Sequence, residues 1–269
     1  MPDSTPVNAA DSGLQVETAF VRNRNALLAR ADFGPLYVDI YLHLAEHGIR
    51  RSAEADLLFK RCLAAFVLHV ATRPWNELSA WTLHFDKLGL NIFLTADNET
   101  GAVTGRLFDE DVKVMGTSLF YADVIRGREP MRRSAIEFEG DDFLAAIGGF
   151  YARSEQRGLR VYDQGDDTLV MLIEHPDCDH AWFSTLDAEG ALRIDQTETI
   201  APLERRVYRW HCGCNQGRML EVLAPSFRED PEALFQGDPS IEMRCPRCGA
   251  RHVVTREALE AFVGGGSGT

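Results

Sequence analysis

Two close pairs of cysteines near the end of the 269-residue chain constrain its folding more than any other feature. Cys212 and Cys214 lie in RWHCGCNQ, Cys245 and Cys248 in MRCPRCGARH, and thirty residues separate the pairs. A short pair brings two sulfurs together at little loop-closure cost. Two such pairs supply the four soft ligands of a tetrahedral Zn²⁺ shell, so residues 210–263 are expected to form a small cross-linked module. Gly213 relieves crowding within the tighter pair, and Gly249 allows the positive φ that a CPRCG turn often needs. Four thiolates leave no open position for water, which argues against a catalytic metal. They also leave the site about two charges negative, so nearby Arg209, Arg218, Arg244, Arg247 and Arg251 are expected to offset it. From the cysteines alone the default is a zinc-ribbon interaction module with a structural metal. A thiol–disulfide oxidoreductase using Cys245 and Cys248 is a further alternative, although such pairs usually open a helix after a strand.

The rest of the composition narrows the function. A formal charge of −13 disfavours nucleic acid or an anionic membrane as main partner. The N-terminal MPDSTPVNAADSG has neither the basic start nor the apolar stretch of an export signal, and LAAFVLHVA (63–71) is too short to span a bilayer. Cytoplasmic residence is therefore expected, where paired cysteines serve metals or redox chemistry more often than structural disulfides. Between Asp163 and Glu204 there are eleven acidic residues and one base, Arg193. Like charges at this density repel, which predicts a loosely held stretch.

Hydrophobic periodicity divides the remainder. LQVETAFV (14–21) and ALLARADF (26–33) read as strands. Asp32 and Pro35 open a helix stopped at Gly48, and Ser52 opens a second that ends before Pro74. Cys62 falls on the apolar face of that second helix, and His43, His47 and His69 are read as structural or surface histidines rather than ligands. From Trp75 the period changes to two. Strands are expected at 80–85, 90–96, 102–108, 119–125 and 132–139, with DNETG (97–101) as a hairpin turn. A helix starts near Asp141 and is weakened by Gly148–Gly149, and LRVYD and TLVMLIEH add two strands. His175, Cys178 and His180 in HPDCDH have ligand-like spacing, but a solvent-facing loop thiol is the simpler account. His211 is expected beside the metal shell or exposed, not in it.

The CxC, the thirty-residue interval and the CxxC at the end of an acidic chain resemble the heat-shock protein 33 family of redox-regulated holding chaperones. FYARSEQ (150–156) is similar to a phrase near the end of that family's substrate-binding domain, and DVIRGREPMRRSAIEFEGDDF is similar to its sheet region. The resemblance covers roughly residues 80–262, with the cysteine spacing its most specific part. It implies a switch. The reduced, zinc-bound form is inactive; hypochlorite or peroxide with unfolding stress converts the thiolates to disulfides Cys212–Cys214 and Cys245–Cys248. Zinc is then released, the adjoining linker loosens, and an apolar surface captures unfolding clients. The segment before Cys212 is shorter and less helical than the family's linker, marking a divergent member.

Together these readings give an α+β chain. Its expected parts are a mostly antiparallel substrate-binding domain (1–175), an acidic linker (176–207), a four-cysteine zinc redox module (208–263) and a flexible tail (264–269). The expected function is ATP-independent holding of unfolding proteins under oxidative stress, since no phosphate-binding loop is visible. The chain is not expected to be an enzyme, and a homodimer on activation is compatible with this reading.

Overall fold

The computed structural model describes residues 13–265. The N-terminal stretch read for an export signal lies outside them except for Gly13, as do residues 266–269 of the expected tail. The chain divides into two units: Met1–Tyr41 with Arg51–His211, and Leu42–Arg50 with Cys212–Thr269.

The first unit is built on a ten-stranded sheet. In chain order its strands are β1 (Leu14–Val21), β2 (Ala26–Asp32), β3 (Glu77–Phe85), β4 (Leu90–Asp97) and β5 (Ala102–Phe108). They continue with β6 (Ser118–Arg126), β7 (Arg132–Phe138), β8 (Leu159–Asp163), β9 (Thr168–Glu174) and β10 (Ile200–Trp210). The spatial order is β7-β6-β3-β4-β5-β10-β1-β2-β9-β8. Neighbours pair antiparallel except β10 and β5, whose short parallel register matches Arg209 with Ala102 and Trp210 with Val103. The fold is α+β with a mostly antiparallel sheet.

The helices follow from their caps and burial. α1 spans Gly34–Glu46 and α2 spans Ala53–Ala71. Ser52 caps α2 by accepting from the Ala55 amide, and Glu54 and Asp56 place negative charge at its positive end. Its residues from Cys62 to Ala71 are all buried, and it packs across β1, β2, β4, β5 and β9. On this face Trp81 meets Phe66 at 5.2 Å and Phe120 at 4.9 Å, and Phe120 meets Phe150 at 4.9 Å. Buried Asn98 donates to the Val70 and Pro74 carbonyls and accepts from the Tyr208 hydroxyl, joining the end of α2, the β4–β5 turn and β10. α3 (Phe143–Phe150) is capped by Asp142 and runs directly into a π-helical turn, Tyr151–Glu155.

The structure departs from the expected acidic linker. Residues 176–207 carry three short helices, α4 (His180–Thr185), α5 (Ala188–Leu192) and α6 (Ile194–Thr197), followed by most of β10. β10 lies between β5 and β1 within the sheet, and the division between units falls at His211–Cys212. Two physical causes account for this. Phe183, Ala191 and Ile194 bury against Ala19, Val21, Leu28, Val170 and Leu172. The acids are also used locally: Asp179 and Asp187 cap α4 and α5, while Arg24 pairs with Asp179 and Glu198, and Arg30 with Asp195. The compensating bases lie 155 to 174 residues upstream.

The second unit has its own small core. After Asn215, which caps α7 (Gln216–Glu229), come α8 (Pro231–Phe235) and the hairpin β11 (Ser240–Arg244) and β12 (Arg251–Thr255). α9 (Arg256–Gly265) closes it. Met219, Phe227, Phe235, Val254 and Leu259 form the buried centre, with Cys214 packed against it. Among the described residues no helix is long and apolar enough to cross a membrane.

Candidate metal centre

The two cysteine pairs sit on two different backbone turns of the second unit. Cys212 and Cys214 follow β10 and flank Gly213, whose φ of 69° is open to glycine at little cost. Cys245 and Cys248 occupy the tip between β11 and β12. There the Cys245 amide donates to the Ala250 carbonyl, the Gly249 amide donates to the Cys245 carbonyl, and Gly249 has a φ of 77°. Each turn thus places its own pair of cysteines.

All four Sγ atoms lie within 4.8 Å of one another. Between the turns, Cys212 lies 3.6 Å from Cys245 and Cys214 lies 3.6 Å from Cys248. A tetrahedral zinc–thiolate shell has sulfur–sulfur edges of about 3.8 Å, whereas disulfide sulfurs are about 2.05 Å apart. The four cysteines are free thiols, two buried and two half-buried. Donor type, donor number and the two 3.6 Å edges are compatible with a four-coordinate zinc. Among the described residues this is the one group placed to hold a metal ion.

Packing four thiols together separates their acidities. Hydrogen bonds from Cys212 and Cys248 hold Cys245 far below the ordinary thiol range. Burial pushes Cys214 up to about 12, and Cys248 rises through its hydrogen bond with Cys212. Four thiolates cannot coexist here without a cation to compensate them, which is the electrostatic demand that Zn²⁺ meets.

Three histidines surround the thiols, and the sequence reading assigned none of them this place. His252 Nε2 lies 3.4 Å from Cys214 Sγ. His43 Nε2 lies 3.0 Å from the Cys248 carbonyl oxygen, and the Arg251 amide donates to His47 Nδ1 at 3.3 Å. The His43 and His47 rings are 4.7 Å apart, and those of His47 and His252 are 6.3 Å apart. A carbonyl only accepts, so His43 presents Nε2–H, while His47, accepting at Nδ1, carries its proton on Nε2. The i, i+4 spacing of His43, in the last turn of α1, and His47, just past its end, was visible in the sequence; its destination, reached across more than 200 residues of chain, was not.

The other sequence candidates lie elsewhere. His69 is buried in the first unit with Nδ1 2.6 Å from the Tyr151 hydroxyl. Cys62 is fully buried in α2. Cys178 is buried in the core beneath α4, not facing solvent, while His180 is exposed and pairs with Glu174. His175 packs edge-on to Phe20, so the HPDCDH residues do not converge on one point.

No family model matches the chain. It is 22% identical over 206 residues to a 33 kDa chaperonin of Proteus mirabilis, covering 62% of this chain and 70% of that protein. It is also 35% identical over 77 residues to a 33 kDa chaperonin of Mannheimia succiniciproducens, covering 28% of this chain and 26% of the relative. The fold agrees with the crystal structure of the 33 kDa chaperonin (heat shock protein 33 homolog) of Thermotoga maritima, with a TM-score of 0.70 over 95% of this chain and 99% of that one, at 13% identity. The chain is similar in sequence and in fold to the 33 kDa chaperonins. The resemblance first carried by the cysteine spacing thus extends to the fold, including the N-terminal strands and helices that the sequence alone did not match.

Proposed function

We propose that this chain is an ATP-independent holding chaperone for unfolding proteins, regulated by the oxidation state of Cys212, Cys214, Cys245 and Cys248. The observation that carries the reading is the convergence of all four sulfurs within 4.8 Å in a chain related to the 33 kDa chaperonins. When bound, Zn²⁺ supplies the cross-link between the two turns and keeps all four sulfurs as thiolates.

The chemistry then follows from the thiolates. Within each turn, Cys212 with Cys214 and Cys245 with Cys248, two thiolates give two electrons to one hydrogen peroxide. A disulfide and two waters form with uptake of two protons. Each disulfide withdraws two ligands from the common centre, so the two turns lose the link that joins them. The small apolar cluster of the second unit is then left to hold itself together. A released helical linker forms no part of the proposal, because the residues before Cys212 are the sheet strand β10. Clients are unfolding polypeptides, and the proposed setting is cytoplasmic.

The test follows zinc content and client light scattering together during oxidation. The reduced chain is expected to hold one zinc and to suppress aggregation weakly. Peroxide with mild heat should lower bound zinc and raise suppression several-fold. Zero zinc in the reduced chain, or holding activity equal in both states, overturns the regulated reading. Zinc retained under peroxide with no holding activity identifies a structural zinc-ribbon module instead.

A further inference from the structure

The FYARSEQ phrase folds away from the thiols and builds a second feature. Its π-helical turn Tyr151–Glu155 borders a cavity of about 190 Å³ in the first unit, lined also by His69, Arg73, Ser79, Trp81 and Arg132. π-helical turns are rare and recur at functional sites. Its walls combine the Trp81 and Phe150 rings with groups that donate hydrogen bonds.

Two independent observations point to an occupant. Ser79 is 1% exposed, and its Oγ has no hydrogen-bond partner among the described residues. A buried hydroxyl without a partner costs about 1–3 kcal/mol, so such a group in a cavity wall calls for one. The second observation is charge. Glu77 is buried and is reached by Arg73 at 3.1 Å, by Arg126 at 2.5 Å and by Arg132 at 3.9 Å. Arg73 also pairs with Glu155 at 3.1 Å. Three guanidinium groups thus meet two carboxylates, and Arg132, the most distant, is 60% exposed along its side chain. Asp123, also in the wall, is matched by two bonds from Arg133 and does not cancel the excess.

The remaining polar groups fix the ligand type. Ser154 donates to Ser134 at 2.7 Å, which commits the Ser154 proton. Tyr151 occupies His69 Nδ1, and burial holds His69 neutral, with a pKa lowered to about 3. The donors that fix the ligand type are therefore the buried Ser79 O–H and the Arg132 guanidinium. An acceptor-only anion small enough for the cavity satisfies both.

We propose that this cavity binds a small carboxylate, held by Arg132 and by the Ser79 hydroxyl, with its carbon chain against Trp81 and Phe150. The site is separate from the thiol cluster and stands whether or not the redox reading does. The same chemistry is offered by a free small acid and by a glutamate side chain of a polypeptide.

The experiment is an NMR titration of the reduced, zinc-loaded full chain at constant ionic strength, reading the Trp81 indole N–H. Sodium acetate is expected to shift it saturably, and neutral acetamide to leave it unmoved. Ser79→Ala should weaken acetate about ten-fold, the worth of a hydrogen bond to a charged group. Arg132→Met should weaken it about ten-fold or more, as expected for a charge-assisted contact. Arg128→Gln, on an exposed loop residue outside the cavity, should leave binding unchanged. Tighter binding of the peptide acetyl-Gly-Glu-Gly-amide than of acetate identifies a polypeptide side chain, and tighter acetate identifies a free acid. Absence of a saturable shift, an equal shift with acetamide, or unchanged affinity in both cavity variants overturns the proposal. Because Arg132 is largely exposed, its substitution remains readable if Ser79→Ala does not fold.

Discussion

The two units solve the problem of staying folded by different means. The first buries a long helix, an aromatic cluster and both neighbours of most of its strands. The second has five residues at its buried centre and places four thiols beside them. Apolar burial contributes roughly 25 cal/mol per Å², so a cluster of that size offsets little of the entropy of ordering the chain. With the proposed zinc in place, the contrast implies that one unit depends on its core and the other on a metal cross-link, and each can be perturbed alone.

The largest expected effect is on the second unit. Cys245→Ser, or chelation of the reduced chain, removes a cross-link worth on the order of 10 kcal/mol. Amide exchange should rise throughout β11, β12 and α7, while β3, β4 and α2 stay protected. Protection retained at β11 and β12 without metal would show that the small core suffices, and the contrast would fall.

The next prediction concerns the first unit and pH. His69 is buried and neutral, its pKa lowered from 6.5 to about 3 by burial and then by Arg73. Below pH 6.5 the unfolded chain takes up a proton that the folded chain refuses, so stability is present above that pH and is lost as pH falls toward 3. The loss is on the order of a few kcal/mol. Urea unfolding of the sheet unit at pH 7, 5 and 4 measures it. His69→Gln should flatten that dependence, and an unchanged slope would remove His69 as its cause.

How much of this was legible in the sequence depended on how far each argument had to reach. Strands such as Leu90–Asp97 and the α2 start at Ser52 followed from local periodicity and capping. The thiol cluster was legible because each pair is local and only one joining step remained. The segment 176–207 was misjudged because charge was counted along the chain. Its acids act through space on Arg24 and Arg30, and β10 reads as a loop until β1 and β5 are placed on either side of it. For the same reason nothing local marks Phe183 and Ile194 as the cover of a sheet. His43, His47 and His252 show the same limit at the metal centre, since nothing local links a helix end near residue 45 to a hairpin near residue 250.

The smallest effect tests whether those histidines belong to the cross-link or merely lie beside it. An N–H donated to a coordinating thiolate spreads its charge and fixes its orientation, and removing such partners typically weakens metal binding 10- to 100-fold. The His252 contact with Cys214 is long at 3.4 Å, which places the expectation for His252→Phe at about ten-fold in zinc affinity, the low end. The substitution keeps a ring of similar size, so packing near Cys214 is largely preserved. Competition with a chromophoric chelator gives the affinity, and urea unfolding of the sheet unit provides the control, expected to be unchanged. Unaltered affinity would make His252 a packing residue and leave the cross-link to the four thiolates alone. A loss far above ten-fold would mean that the small unit leans on its histidines nearly as much as on its sulfurs, and the line between core-held and metal-held would have to be redrawn to include them.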